Sequence, residues 1–203
     1  VQTGYIKQQL ETKFSKEEKV LILPFFPELP QEKGIRKSST FLYVSNAQAN
    51  KNHKRLIDAF CKSFDEVQKG ELILTVNDSF PDIYNYIEAA VAKRYPITNV
   101  GFLPKDKLAE KYAESEFLIF PSLSESFGLG IVEGINAGCK VIGADLPYLY
   151  AVCRPPATFD PYDVNDISRS ISGAITSNQP TSFSKVSDEI AQLILLLNPQ
   201  TSL

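Results

Sequence analysis

Short apolar runs alternate with longer amphipathic stretches along most of the 203 residues. The runs at 20–23, 40–45, 71–76, 98–100, 117–120 and 140–143 end at Pro, Gly, Asn or Ser, which predicts β-strands. Several are apolar throughout rather than at every second position, as in parallel strands covered on both faces. Between the runs, apolar residues recur at helical spacing: Leu56, Phe60, Phe64 and Val67; Ile83, Ile87 and Val91; Val164, Ile167, Ile171 and Ala174. Further helices are expected over 105–114, around Ile6, Leu10 and Phe14, and along Phe183, Val186, Ile190, Leu193 and Leu197. Strands alternating with helices predict an α/β fold with a doubly wound parallel sheet. Ligands of such sheets bind beyond the carboxyl ends of the strands, at helix N-termini.

Residues 1–37 read as a separate segment. Pro24, Pro27 and Pro30 fall close together and a polar stretch follows, which is linker composition. The main α/β unit is expected over 38–180, with a C-terminal helix over 181–203. The chain contains no methionine, so it is expected to be a piece of a longer polypeptide.

Bulk properties narrow the function classes. A net charge of -3 speaks against a nucleic-acid partner, because neutralising phosphates needs a basic surface. The longest apolar stretch, 190–197, is interrupted by Gln192 and falls far short of the ~20 residues of a membrane span. No signal peptide opens the chain, so a cytoplasmic location is expected. Cys61, Cys139 and Cys153 form no Cys-x-x-Cys pair, and the single histidine, His53, has no cysteine near it in sequence. Reduced thiols and no metal site are expected.

The first stretch that could carry chemistry is Pro121-Ser-Leu-Ser-Glu-Ser-Phe-Gly-Leu-Gly-Ile-Val-Glu133, directly after the run at 117–120. Gly128 and Gly130 open a helix. Glycines allow close backbone approach, and a helix N-terminus offers free N–H groups to an anion, for which a diphosphate is a natural guest. Glu125 in the loop and Glu133 in the helix can face one crevice, and a carboxylate accepts two hydroxyl hydrogen bonds, which suits a vicinal diol. Spacing alone equally allows Glu133 to complement the helix dipole and Glu125 to be a solvated loop acid.

The second is Leu42-Tyr-Val-Ser-Asn-Ala-Gln-Ala-Asn-Lys-Asn-His53. Lys51 stands at a helix start, where a cation opposes the dipole, so it reads either as facing an anionic ligand or as an exposed surface lysine. His53 reads as a structural or surface residue rather than a catalytic base. The third is Asn99-Val-Gly-Phe-Leu-Pro104, whose backbone could meet the edge of a base beside Phe102, or simply turn the chain. There is no Gly-x-Gly-x-x-Gly after the first strand of the main sheet and no phosphate loop ending in Gly-Lys-Ser/Thr.

Taken together, these residues resemble the C-terminal, nucleotide-sugar-binding domain of the family 4 retaining glycosyltransferases, which have the GT-B fold with Rossmann-like halves. The resemblance is carried by Glu125-x7-Glu133 within Phe120-Pro-Ser-Leu-Ser-Glu-Ser-Phe-Gly-Leu-Gly130. Val100-Gly-Phe-Leu103, Glu133-Gly-Ile-Asn-Ala-Gly-Cys-Lys-Val-Ile142 and Phe159-Asp-Pro-Tyr-Asp163 support it, and it runs over 41–175. It implies that Glu125 and Lys51 are catalytic. Glu125 would hold donor-sugar hydroxyls, and Lys51 would neutralise the diphosphate as it leaves. Glu133 would hold the ribose hydroxyls. Backbone around Ser126, Phe127, Gly128, Leu129 and Gly130 would bind diphosphate and sugar, while Asn46, Phe102 and Leu103 would line the nucleotide site. Two positions depart from the family pattern: Asn46 where an arginine is usual beside the diphosphate, and Ala151 where an acid is common.

What the resemblance implies about function is a sugar transfer with retention from a UDP-, GDP- or ADP-sugar, with no cofactor and no metal. The acceptor would be a sugar, a lipid-linked saccharide or a polysaccharide, in building a surface polysaccharide or glycolipid. Residues 1–30 would close a missing N-terminal, acceptor-binding domain, so this chain alone would be inactive. The full-length protein would work at the inner face of the membrane as a peripheral protein. Two other readings stay open on sequence: a nucleotide-binding module without turnover, and a glycosidase using Glu125 and Glu133 as acid and base.

Overall fold

The structure, a computed structural model, describes residues 1–14, 19–30, 32 and 34–198. Its centre is a six-stranded parallel sheet of β1 (Lys37–Tyr43), β2 (Glu71–Leu74), β3 (Ile97–Asn99), β4 (Ser115–Phe120), β5 (Lys140–Ala144) and β7 (Ala157–Phe159). The spatial order is β3-β2-β1-β4-β5-β7. The chain therefore builds outward from β1 to β3, then returns past β1 to lay down β4 and proceeds the other way. The reversal leaves a crevice at the carboxyl ends of β1 and β4, the position at which such sheets bind ligands. Rossmann-like architecture is what the alternation of apolar runs predicts.

The strands are continuous apolar runs because both faces are covered. Phe41, Leu42 and Tyr43 of β1 and Leu118 and Ile119 of β4 are fully buried. Phe41 pairs in register with Phe117 and the two rings stack at 4.9 Å between centroids. On one face α2 (His53–Val67) packs against α3 (Pro81–Ala92) and α7 (Val164–Thr176), presenting Leu56, Ile57 and Phe60. Elsewhere α4 (Lys105–Glu114) and α5 (Leu129–Asn136) are linked by a hydrogen bond from Tyr112 to Glu133. Arg36 ties their ends to β4 by donating to Ser115 O and to Ala137 O.

Several boundaries differ from the sequence expectation. Residues 20–23 form no strand: the run lies beside α1 (Gly4–Lys13), where Leu23 N donates to Val1 O at 2.8 Å, and Pro24 follows at once. The C-terminal pattern is not one helix either. Phe183–Ser184 is β8, antiparallel to β6 (Cys153–Arg154), and α8 begins only at Ile190 and runs to Leu197. The last five residues of the expected helix, 199–203, lie outside the described residues. The edge strand β7 and the helix α6 (Pro147–Val152) carry no periodic signal because they are only 3 and 6 residues long. Among the described residues no helix is long and apolar enough to cross a membrane.

Candidate functional site

The crevice is built by the loops that leave β1 and β4. Two hydrogen bonds zip them together: Leu123 N to Asn50 O at 2.7 Å, and Asn50 Nδ2 to Ser124 O at 3.1 Å. A 3-10 turn, Ala49–Lys51, then brings the Lys51 ammonium onto Glu125 Oε1 at 2.6 Å, with the side chains only 17% and 11% exposed. That excludes both of the plainer readings, a solvated loop acid and an exposed lysine.

Asn52 joins the turn to α2. Its φ is 62°, in the left-handed region that asparagine tolerates better than most side chains. Its amide donates to Pro121 O at 3.1 Å and Pro161 O at 2.8 Å, and its oxygen accepts from Arg55. One buried side chain thus pins three loops. Beneath them Tyr43 Oη donates to Lys51 O at 2.9 Å and meets Ser122 Oγ, also at 2.9 Å; Tyr148 Oη donates to Ser122 O. Burial pushes both phenols well above their ordinary range, so they serve as neutral hydrogen-bonding struts.

His53 is buried against the Tyr43 ring, 4.9 Å between centroids. Burial, then the nearby Lys51 charge, lowers its pKa to about 4, and among the described residues neither ring nitrogen finds a hydrogen-bond partner. It is a neutral core residue, the structural role read from the sequence, and not a surface one. All three thiols stay protonated: burial raises Cys61 and Cys139 to about 11 and Cys153 to about 12.

Gly128 adopts φ 79° at the start of α5, which no side chain caps among the described residues. By helix geometry the amides of Leu129 and Gly130 point out of the first turn. Ser126 and Leu129 are exposed there, while Phe127 is buried and stacks on Phe26 at 6.0 Å. Space at Gly130 is tight: a Cβ would lie 3.2 Å from Tyr112 Oη and 3.5 Å from Phe120 Cε2.

Two clefts hold the remaining candidate residues. One, of about 230 Å³, is lined by Asn46, Phe102, Leu103, Val44, Thr75 and Asn77. Phe102 is 80% exposed at its mouth. Asn46 Oδ1 accepts from Gln48 N at 3.4 Å, an Asx turn that uses one end of the amide. The other cleft, about 410 Å³, holds Glu133 and Asn136 beneath the segment Phe26 to Pro30. Glu133 Oε2 accepts from Tyr112 Oη at 3.0 Å. Burial raises the Glu133 pKa, while the Tyr112 bond and the Lys105 charge pull it down. No acid lies in the first turn of α5, where the dipole would reward one, so dipole complementation does not explain Glu133.

The structure therefore joins Lys51 to Glu125, gathers Asn46, Phe102 and Leu103 into one cleft, and sets Glu133 in a different one. Sequence reasoning missed Tyr43, Asn52, Tyr112, Ser122 and Tyr148. For the tyrosines the available signal was that a buried phenol needs a partner for its hydroxyl. A larger depression of about 740 Å³ opens between the starts of α2 and α3; Ala49 and Asn52, on either side of Lys51, line it, and size alone assigns it no chemistry. Among the described residues no group of three or more His, Cys, Asp or Glu side chains could hold a metal ion.

Fold and crevice define a doubly wound, Rossmann-like α/β domain, and comparison with known proteins identifies which kind. Residues 25–188 match the family described as glycosyl transferases group 1. The chain is 29% identical over 140 residues to the serotype-specific mannosyltransferase WbdA of Escherichia coli, covering 66% of this chain and 17% of that protein. It is 27% identical over 134 residues to O-antigen chain mannosyltransferase B of Escherichia coli, covering 64% of this chain and 35% of that one. Among solved structures, Staphylococcus aureus TarM, bound to fondaparinux, alpha-GlcNAc-glycerol and UDP, superposes with a TM-score of 0.74 at 14% identity, over 87% of this chain and 36% of its own. Pneumococcal O-GlcNAc transferase GtfA, with UDP and GlcNAc, gives 0.67 at 19% identity, over 86% and 37%. At these identities the structures speak for the fold alone. The chain belongs to the glycosyl transferases group 1. It spans well under half the length of these relatives.

Proposed function

We propose that this chain is the donor-binding half of a retaining glycosyltransferase that transfers a sugar from a nucleoside-diphosphate donor while a surface polysaccharide or glycolipid is built. The carrying observation is the Lys51–Glu125 ion pair of 2.6 Å at the switch point between β1 and β4. Lys51 is held there by the backbone of its own turn, so its ammonium is positioned before a ligand arrives. A diphosphate, with more than one negative charge and the amides of Leu129 and Gly130 beside it, would draw the ammonium from Glu125. The freed Glu125 carboxylate would then accept hydroxyls of the donor sugar. The bond that breaks joins the sugar's anomeric carbon to the diphosphate oxygen, so negative charge grows on the leaving phosphate where Lys51 and the helix amides stand. Retention requires the acceptor to approach on the face the diphosphate leaves.

Glu133 would hold the ribose diol and the cleft of Asn46, Phe102 and Leu103 the base. The mannosyltransferase relatives favour a nucleotide sugar built on a hexose. The catalytic unit would include an acceptor-binding domain beyond this chain and would act in the cytoplasm, at the inner face of the membrane. A glycosidase pair needs two carboxylates flanking one bond. Here Glu125 is bound to Lys51 and Glu133 to Tyr112, in different surroundings.

Thermal shift of the purified chain against UDP-, GDP- and ADP-sugars tests the reading, since a ligand that binds the folded state raises its melting temperature. One nucleotide class is expected to stabilise the chain, and Lys51→Ala to abolish the shift. No stabilisation by any of the three would rule the assignment out.

A further inference from the structure

We infer that Tyr112 is a positioning residue for Glu133: its hydroxyl holds one carboxylate oxygen so that the other is presented to vicinal hydroxyls of the ligand. The inference rests on the nucleotide-sugar reading and deepens it. Tyr112 is fully buried on α4, so a phenylalanine would fill the same core volume. The hydroxyl is the costly part, because a buried polar group must be bonded to offset its desolvation. It spends that bond on a side chain that lines a cleft, Glu133 Oε2 at 3.0 Å. Core packing alone gives no reason for that choice.

Space around the bond is reserved as well. At Gly130 any side chain would begin 3.2 Å from Tyr112 Oη, crowding the hydroxyl at the turn whose amides face the crevice. The bond also crosses from α4 to α5, so it fixes the carboxylate against a second element. A carboxylate has about four acceptor sites on its two oxygens. With Oε2 committed to Tyr112, Oε1 has a defined direction, and a diol is recognised through a fixed acceptor rather than a rotating one.

The test is isothermal titration of the chain with UDP and GDP and with their 2′,3′-dideoxy counterparts. The proteins are wild type, Tyr112→Phe, Glu133→Gln and the double variant, with melting followed by circular dichroism. Tyr112→Phe is expected to fold and to lose about tenfold in affinity for the ribonucleotide, the scale of a hydrogen bond to a charged group. It should lose almost nothing toward the dideoxy ligand, and nothing further in the Glu133→Gln background. Unchanged ribonucleotide affinity, equal losses toward both ligands, or additive losses in the double variant would overturn the inference while leaving nucleotide binding intact. So would wild-type protein that does not distinguish ribose from dideoxyribose. Failure of Tyr112→Phe to fold would make the hydroxyl a structural group and overturn it too. Absence of any nucleotide binding by wild type would remove the underlying reading and this inference together.

Discussion

Lys51 and Glu125 neutralise each other across the crevice while the first turn of α5 carries no acid. Removing either glutamate therefore has a different consequence. Glu133→Ala takes an acceptor from a half-buried polar site, and it is expected to weaken nucleoside-diphosphate binding by roughly 1–3 kcal/mol. Glu125→Ala releases the Lys51 ammonium, so affinity for the free nucleoside diphosphate should hold or tighten. Calorimetry showing equal weakening in both variants would break the division of roles. His53 supplies a second expectation. Its folded pKa of about 4 lies below the ordinary 6.5 because burial and Lys51 disfavour the cation. The unfolded chain therefore binds the proton first as pH falls. The stability tied to neutral His53 is complete above about pH 6.5 and is lost as pH drops toward 4, by about 3 kcal/mol in all. Denaturant titrations across that window should show the decline, and His53→Leu should flatten it; an unchanged slope would mean another group is responsible.

At the scale of elements, close approach decides the geometry. A Cβ at Gly134 of α5 would lie 2.8 Å from Leu118 Cδ2 of β4, and one at Gly143 of β5 would lie 2.9 Å from Leu149 Cδ2 of α6. Gly134→Ala must push α5 off the sheet or force Leu118 into another rotamer. It is expected to cost about 1–3 kcal/mol in a chemical denaturation curve, typical of overpacking. Because α5 carries both the crevice amides and Glu133, nucleotide affinity should fall with it. Stability and affinity both at wild-type levels would show that the contact is slack. The helices α2, α3 and α7 were legible as repeated apolar spacing, since each buries one face over several turns. The apolar run at 20–23 misled: apolar content calls for burial or a partner surface, and only a neighbouring strand makes such a run a strand.

For the molecule as a whole, the crevice faces outward from a single sheet, and the chain covers 17% and 35% of two mannosyltransferase relatives. If the acceptor site lies on another domain, the purified 203-residue chain should bind the nucleotide sugar yet transfer no sugar. Radiolabelled donor with saccharide acceptors measures this, and robust transfer by the chain alone would contradict it. Neutralisation by Lys51 and the α5 amides further predicts that EDTA leaves nucleotide affinity unchanged. A requirement for magnesium or manganese in the same titration would call for a different electrostatic design.

By itself the sequence determined the alternation of strands and helices, the parallel character of the sheet and the place of the glycine loop. Each of these is written in local spacing, through the two periodicities and the conformational range of glycine. It also singled out Lys51, Glu125 and Glu133, while leaving open whether each served only a local need. Only the tertiary structure decided that the first two touch, that Glu133 turns instead to Tyr112, and that Asn52 pins three loops. Those pairings join residues 21 to 109 positions apart. They depend on the order in which the strands were laid into the sheet, and no local pattern records the reversal at β1 and β4 that brings them together.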